Sequence, residues 1–405
     1  MKKTCLWKIA AACTAALSTI APGVAAEPAP VSLPRISFPK SNLIQDVHWL
    51  GGQIRDAATH GDVWSTTWAA DDNLYTVTDD NGWGYNLSIA RIEGIPSDHK
   101  VILVNKMEDY GRATKGHWWK GAGLVDIDGL LYLGIYSQSN PNESSAGRVS
   151  FNADNSSILK STDHGQTWSG SARAAWENPM FPKKEFPTPF FVQYGKGYAG
   201  AMDDYVYVCS NDGGWNNWNR MMLARVPRGK FSALDRRDWE FFVSVDERNI
   251  PTWTPEVSKA GSIFENKLHT SMTGIQYVPA IGRFILAQWS YVAQDANGPF
   301  LKEYFKKPGK PSPPFPWPED GAHERMDQTM LCIFEAPKPW GPWKLAHVQA
   351  PWGPAFYNPS FPSKWFEAGG KKAWVIESGN YRTMSTGGYQ FTAQELEWVL
   401  QHRLP

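Results

Sequence analysis

One pattern recurs along this chain: a short β-rich run, a turn of Gly, Asp and Asn, then a second β-rich run. Asn73–Thr78 and Leu87–Ile92 flank the turn Asp79–Gly84. Leu131–Tyr136 and Ser157–Lys160 repeat it, followed by Tyr205–Cys209 with Met222–Val226. Arg283–Trp289 with Met330–Phe334, and Ala373–Glu377 with Tyr389–Thr392, complete the set. Meanders repeated in this way predict sheets arranged around an axis, an all-β single β-propeller. Five blades fit the count, and merged units would make six or seven. A sandwich also has many short strands, but it would not repeat the same order of signals. Pro308–Pro318 reads as an irregular excursion, and only Ala393–Leu400 reads as helical.

The segment Ser161-Thr-Asp-His-Gly-Gln-Thr-Trp168 matches the Asp-box of sialidase-type propellers at every position. Its aspartate, Asp163, is suited to accepting turn hydrogen bonds, so we read it as a folding device rather than a catalyst. A sialidase is not expected, since one box occurs and the arginine-bearing opening motif is not seen.

Residues 1–26 read as a signal peptide. Lys2, Lys3 and Lys8 precede the apolar stretch Ile9–Ile20, and Val24-Ala25-Ala26 gives the cleavage pattern. Thr14, Ser18 and Thr19 interrupt the stretch, which argues against a membrane span. The expectation is export to the periplasm or medium, cleavage near Ala26, and one propeller domain over 27–405. The chain balances 40 Lys and Arg against 40 Asp and Glu. Nucleic acid is therefore not an expected partner, and a monomer acting on a poly- or oligosaccharide is. No Cys/His cluster has metal-ligand spacing, so no cofactor or metal is expected, though a structural cation stays open. Beyond the signal only Cys209 and Cys332 remain, as one disulfide or two buried thiols.

Aromatic residues make up 14% of the chain, with 21 tryptophans. Indole is costly to bury without a partner for its N–H, so such an excess suits flat platforms for sugar rings.

The densest polar cluster lies in the first unit. His60-Gly-Asp-Val-Trp64 leads into Ser65–Trp68, the turn Ala69–Asn73, Leu74–Thr78, and then Asp79-Asp80. A turn centred between Asp71 and Asp72 sets Asp62 opposite Asn81 and one step from Asp80. Two carboxylates thus meet on one rim beside His60 and Trp64, the pairing that glycoside hydrolysis needs. Strand alternation points Asp79 to the other face, which makes it second to Asp80.

Several segments together resemble a secreted domain-of-unknown-function family that includes the endo-D-arabinanases acting on mycobacterial arabinan. They are Gly61–Trp64 with Trp68–Tyr75, Asp203–Val208 with Leu223–Pro227, and Tyr357-Asn-Pro-Ser-Phe-Pro-Ser-Lys-Trp365. The resemblance implies a five-bladed propeller whose two acidic catalytic positions fall on Asp62 and Asp80. Val63, Ser65 and the Asp79-Asp80 pair depart from the usual run, so substrate is not carried over.

Propeller lyases acting on ulvan or rhamnosyl-glucuronate glycans are a more distant likeness and a second reading. His60, His117, Tyr132, Tyr136 and Arg148 could serve that chemistry, although Asp80 would repel a uronate. A sugar-binding propeller without catalysis is the third, with Trp64, Trp83, Trp118, Trp215 and Trp289 as platforms. Trp64, Trp83, Lys120, Glu256, His269, Asn358 and Lys364 are the expected substrate contacts. Arg91 and Arg225, each following Ala in an apolar strand, are expected in structural ion pairs.

Overall fold

The computed structural model describes residues 36–82, 85–111, 116–139, 152–214, 218–291, 329–352, 356–379 and 389–401. The expected signal peptide, Trp83, Arg148, Trp215 and Pro308–Pro318 lie outside them.

The described chain opens with β1 (Ile44–Asp56) and then runs through antiparallel meanders. The first holds β2 (Asp62–Trp68), β3 (Leu74–Gly82), β4 (Tyr85–Ile95) and β5 (Asp98–Asn105). The second holds β6 (His117–Ile127), β7 (Leu130–Ser139) and β8 (Asn152–Ser161), with Phe181 bridged to Ser156 at its edge. The third holds β9 (Phe190–Gln193), β10 (Tyr205–Asn211), β11 (Trp218–Pro227), β12 (Glu240–Val245) and β13 (Pro251–Thr254). A further strand, β14 (Phe264–Thr270), also pairs with β11. The fourth holds β15 (Ile275–Val278), β16 (Arg283–Tyr291), β17 (Thr329–Ala336) and β18 (Lys344–Gln349). The last holds β19 (Lys372–Gly379) and β20 (Tyr389–Leu400).

Two pairings make this a propeller rather than a stack. The inner strands β9 and β15 run parallel, with Val192 beside Ile275, so successive meanders start in the same direction. The N-terminal strand β1 pairs antiparallel with β20, Val47 against Trp398, and so completes the last sheet from the opposite end of the chain. That closure ties the two ends of the described chain into one sheet. The inner strand of this last unit is the segment 357–361, bridged to β19 at Ser360 and Ile376.

Apolar residues alternate inward along these strands and meet between neighbouring sheets. Trp64, Leu74 and Ile92 pack with Ile376 and Phe391 where the first and last units touch. Trp289, Leu331 and Ile333 pack with Val375, Leu396 and Trp398 between the last two. Nearer the axis, side chains replace the ladder. Thr67 Oγ1 donates to Gln193 Oε1 at 3.1 Å and accepts from the Asp126 amide at 2.9 Å.

The Asp163 side chain ties its own turn. Oδ1 accepts from Ser161 Oγ and from the Thr167 amide, both at 2.8 Å, and Oδ2 accepts from Thr167 Oγ1 at 2.6 Å. Arg91 and Arg225 form the expected ion pairs, with Glu93 at 2.6 Å and Glu240 at 2.8 Å. Cys209 and Cys332 are buried and unpaired. Ala393–Leu400 is strand, not helix. The leucines and glutamates there mimic a helical stripe, but pairing with β1 on one side and β19 on the other decides the conformation.

Candidate active site

The β2–β3 hairpin differs from its expected register, and the difference shapes the site. Trp68 pairs with Leu74 and Ser65 with Val77, after which a bulge at Val63 and Trp64 shifts the ladder. Asp62 therefore faces Asp79 rather than Asn81. Val63 sits at φ 73° and Trp64 at φ 47°. Positive φ is a strained state for a β-branched residue, costing about 1–3 kcal/mol. It is held by the Val63 amide donating to Ser378 Oγ at 2.9 Å and by Trp64 Nε1 donating to Gly61 O at 3.0 Å. Strain of this size is commonly retained next to functional groups.

Asp80 also lies at positive φ, 45°. That left-handed step breaks strand alternation, so Asp79 and Asp80 both act on the same cation, Lys120 of β6. Lys120 Nζ donates to Asp80 Oδ1, and the fields of Asp80, Asp79 and Asp62 all stabilise the buried ammonium. The Gly121 amide donates to both Asp79 oxygens at 3.1 Å. Only glycine permits this approach, because a Cβ at position 121 would stand 2.3 Å from Val77 Cγ2.

Three carboxylates around one lysine cannot all be comfortably ionised. Burial pushes Asp62 up to about 7; the neighbouring Asp80 charge adds to the rise, and Lys120 and Tyr357 oppose it. Burial raises Asp79 well above the usual carboxylate range as well. Asp80 differs in kind: its side chain is 37% exposed and paired to Lys120. Tyr357 OH donates to Asp62 Oδ2 at 2.8 Å, whereas Asp62 Oδ1 is buried with no hydrogen-bond partner.

Other expected residues divide by position. Tyr136, opposite Lys120 on β7, belongs to the site, and its hydroxyl is raised by burial and then by Asp79, Asp62 and Asp80. Trp118 shares the face of Lys120 two residues nearer the strand end and is 41% exposed. Asn358 neighbours Tyr357. Its Oδ1 accepts from Trp289 Nε1 at 3.0 Å, which leaves buried Nδ2 without a partner. His60 is exposed, and His117 lies 4.9 Å from the Trp176 ring.

The remaining expected contacts have these positions. Trp64 is fully buried and meets Phe391 edge-on, so it is core rather than a sugar platform. Trp289 is equally buried. Lys364 binds Asp72 in the β2–β3 turn, at the end of the hairpin away from Asp62. Glu256 follows the outermost strand of its unit and pairs with Lys259 at 2.6 Å. His269 contacts Ser290 Oγ at 2.8 Å. Tyr132 faces Val125 near the β6–β7 turn, at the far end of β7 from Tyr136, and packs on Phe231. Sequence reasoning missed Tyr357 as a site residue and placed Asp79 on the wrong side.

Below the carboxylates, Val63, Thr66, Gln193, Gln276, Asn358 and Ser360 help line an axial cavity of about 30 Å³. This is room for one or two waters, not for a sugar residue.

Residues 121–298 match the model of a family described as a domain of unknown function, DUF4185. The matched segment begins one residue after Lys120, so it includes neither Asp62 nor Asp80. No curated protein matches the chain. Among solved structures, a candidate hydrolase from Bacteroides ovatus covers 91% of this chain and 97% of its own, at 10% identity and TM-score 0.52. At that identity the likeness is one of fold. The GH43_1 enzyme from Xanthomonas citri covers 85% and 89%, at 12% identity and TM-score 0.45. Xylan β-1,4-xylosidase from Bacillus halodurans covers 85% and 55%, at 11% identity and TM-score 0.43.

Proposed function

We propose that this protein is an exported glycoside hydrolase that cleaves a polysaccharide between Asp62 and Asp80. The supporting observation is the contrast between the two carboxyls. Asp62 is buried and holds its proton up to about pH 7, whereas Asp80 is partly exposed and paired with Lys120. A buried carboxyl held protonated beside a partly exposed one paired to a cation suits an acid and a base. Asp62 gives a proton to the glycosidic oxygen as the C–O bond breaks. Asp80, ionised, takes the proton of the attacking water or attacks the anomeric carbon itself. Lys120 holds Asp80 in place, and the Asn358 amide is a donor for a sugar hydroxyl. We count the five meanders as five blades and carry export over from the signal-like N-terminus.

Elimination on a uronate fits less well. The cluster's lysine is already paired with Asp80, so among the described residues there the site offers no unpaired cation to a uronate. Tyr132 lies far from Tyr136, and His117 packs on Trp176.

The test is digestion of arabinans, glucuronate-bearing gums and ulvan, following reducing ends and ultraviolet absorbance together. Reducing ends without absorbance, lost in Asp62→Asn and Asp80→Asn, support hydrolysis. Unsaturated uronate in the product overturns it, and activity surviving both substitutions removes the site.

A further inference from the structure

We infer that Tyr357 is a positioning residue that directs the transferable proton of Asp62 to Oδ1, the carboxyl oxygen with no partner in the protein. The inference rests on the acid role proposed above for Asp62. Tyr357 and Asp62 stand on the inner strands of the last and first units, 295 residues apart in sequence. Tyr357 is fully buried, and its ring lies 5.3 Å from Trp289 and 5.9 Å from Tyr389, which fix its direction. Asn358, next in the chain, is locked by Trp289 Nε1 and sits at φ 49°. The segment is therefore rigid on the side facing Asp62.

A phenol hydroxyl has one hydrogen to donate. Burial raises the Tyr357 pKa well above normal, with Asp62 the next cause, so the hydroxyl stays protonated at neutral pH. Asp62 Oδ2 accepts that hydrogen at 2.8 Å, and Tyr389 is a second hydrogen-bonding neighbour of the same hydroxyl. A carboxylic acid carrying its proton on that same oxygen would set two hydrogens against each other. The proton is therefore placed on Oδ1, where no protein group competes for it. The other groups facing Asp62 leave this arrangement in place. Asp80 on β3 favours protonation, Lys120 on β6 opposes it, Asp79 on β3 is itself raised by burial, and neutral Tyr136 on β7 stands beside Lys120. When the proton moves to the leaving oxygen, negative charge appears on Asp62, and the Tyr357 hydrogen bond strengthens to meet it. Tyr357 thus sets the acidity of Asp62 as well as its orientation.

The experiment is the pH profile of kcat/KM for Tyr357→Phe on whichever polysaccharide the wild type cleaves. Asp62 acts protonated, so activity falls as pH rises through its pKa. Losing the hydroxyl removes a hydrogen bond to the ionised form, and the alkaline limb moves up by about one pH unit. kcat falls about 10-fold at the optimum while KM holds within twofold. Should the variant fail to fold, carbon-13 titration of the Asp62 carboxyl in an Asp80→Asn background replaces the rate measurement. There the carboxyl titrates in parallel with the tyrosine hydroxyl exchange rate, and independence of the two overturns the proposal. An unmoved limb in Tyr357→Phe, with Asp62→Asn inactive, removes Tyr357 and leaves the acid assignment standing. Full activity of Asp62→Asn removes both.

Discussion

Asp62 and Asp79 face each other as a cross-strand pair on β2 and β3, both with 1% of their surface exposed. Two carboxyls in that relation cannot share one interior as two anions, so at least one proton stays with the pair. The site is thereby a proton store before any substrate arrives.

This store lowers stability at neutral pH, and Asp62→Asn should reveal it. Below about pH 4 Asp62 is protonated in both folded and unfolded chains. As pH rises towards 7 the unfolded carboxyl ionises while the folded one, held up to about 7, does not. Wild-type stability therefore falls across that window. Asn keeps an acceptor for Tyr357 and carries no charge, so the variant should gain stability at pH 7, at most about 4 kcal/mol. Denaturant titration at pH 4 and pH 7 checks it, with the gain absent at pH 4.

Lys120→Met should act in the opposite sense. It leaves Asp80 without its ion-pair partner and takes the buried cation away from Asp62 and Asp79, a loss of about 3–5 kcal/mol at pH 7. The deficit should shrink as pH falls from 7, because burial raises both Asp62 and Asp79 and their protonation reduces the need for the cation. Melting temperatures of wild type and variant over that range give the comparison.

Gly121→Ala tests the close approach of β6 to β3. The added methyl meets Val77 and Leu87, so the strands must part and the Gly121 amide must leave Asp79. We expect about 1–3 kcal/mol of destabilisation and at least a 10-fold loss of kcat/KM. A Val77→Ala second change should recover part of both.

Lys364→Ala should leave kcat/KM within twofold. Its ammonium binds the β2–β3 turn at the end away from Asp62, where Lys196 also contacts Asp72 at 3.0 Å. Kinetics on the polysaccharide compare it with the active-site variants.

The repeated meanders were legible because alternate burial and Gly/Asp/Asn turns are local signals. The closing strand was not. β1 is exposed along much of its length and acquires its place only by pairing with β20. Asp62 and Asp80 could be brought together on paper because a hairpin obeys arithmetic. The bulge at Val63 and Trp64 escaped it, since nothing in those side chains announces positive φ. Trp64 was misjudged for the same reason: beside an aspartate it suggests a platform, but the bulge seats it in the core. Tyr357 had no local signal at all. It becomes a site residue only when the last unit meets the first.

The central claim is that Asp62 supplies the proton and Asp80 acts on water or the anomeric carbon. Leaving-group dependence tests it most directly, using aryl glycosides of the sugar that the digestion panel identifies. An acid is needed only when the departing oxygen is basic. Asp62→Asn should lose about 10²–10⁴-fold on the polysaccharide yet stay within about 10-fold of wild type on a dinitrophenyl glycoside, while Asp80→Asn loses both. Equal losses by Asp62→Asn on the two substrates would contradict the account.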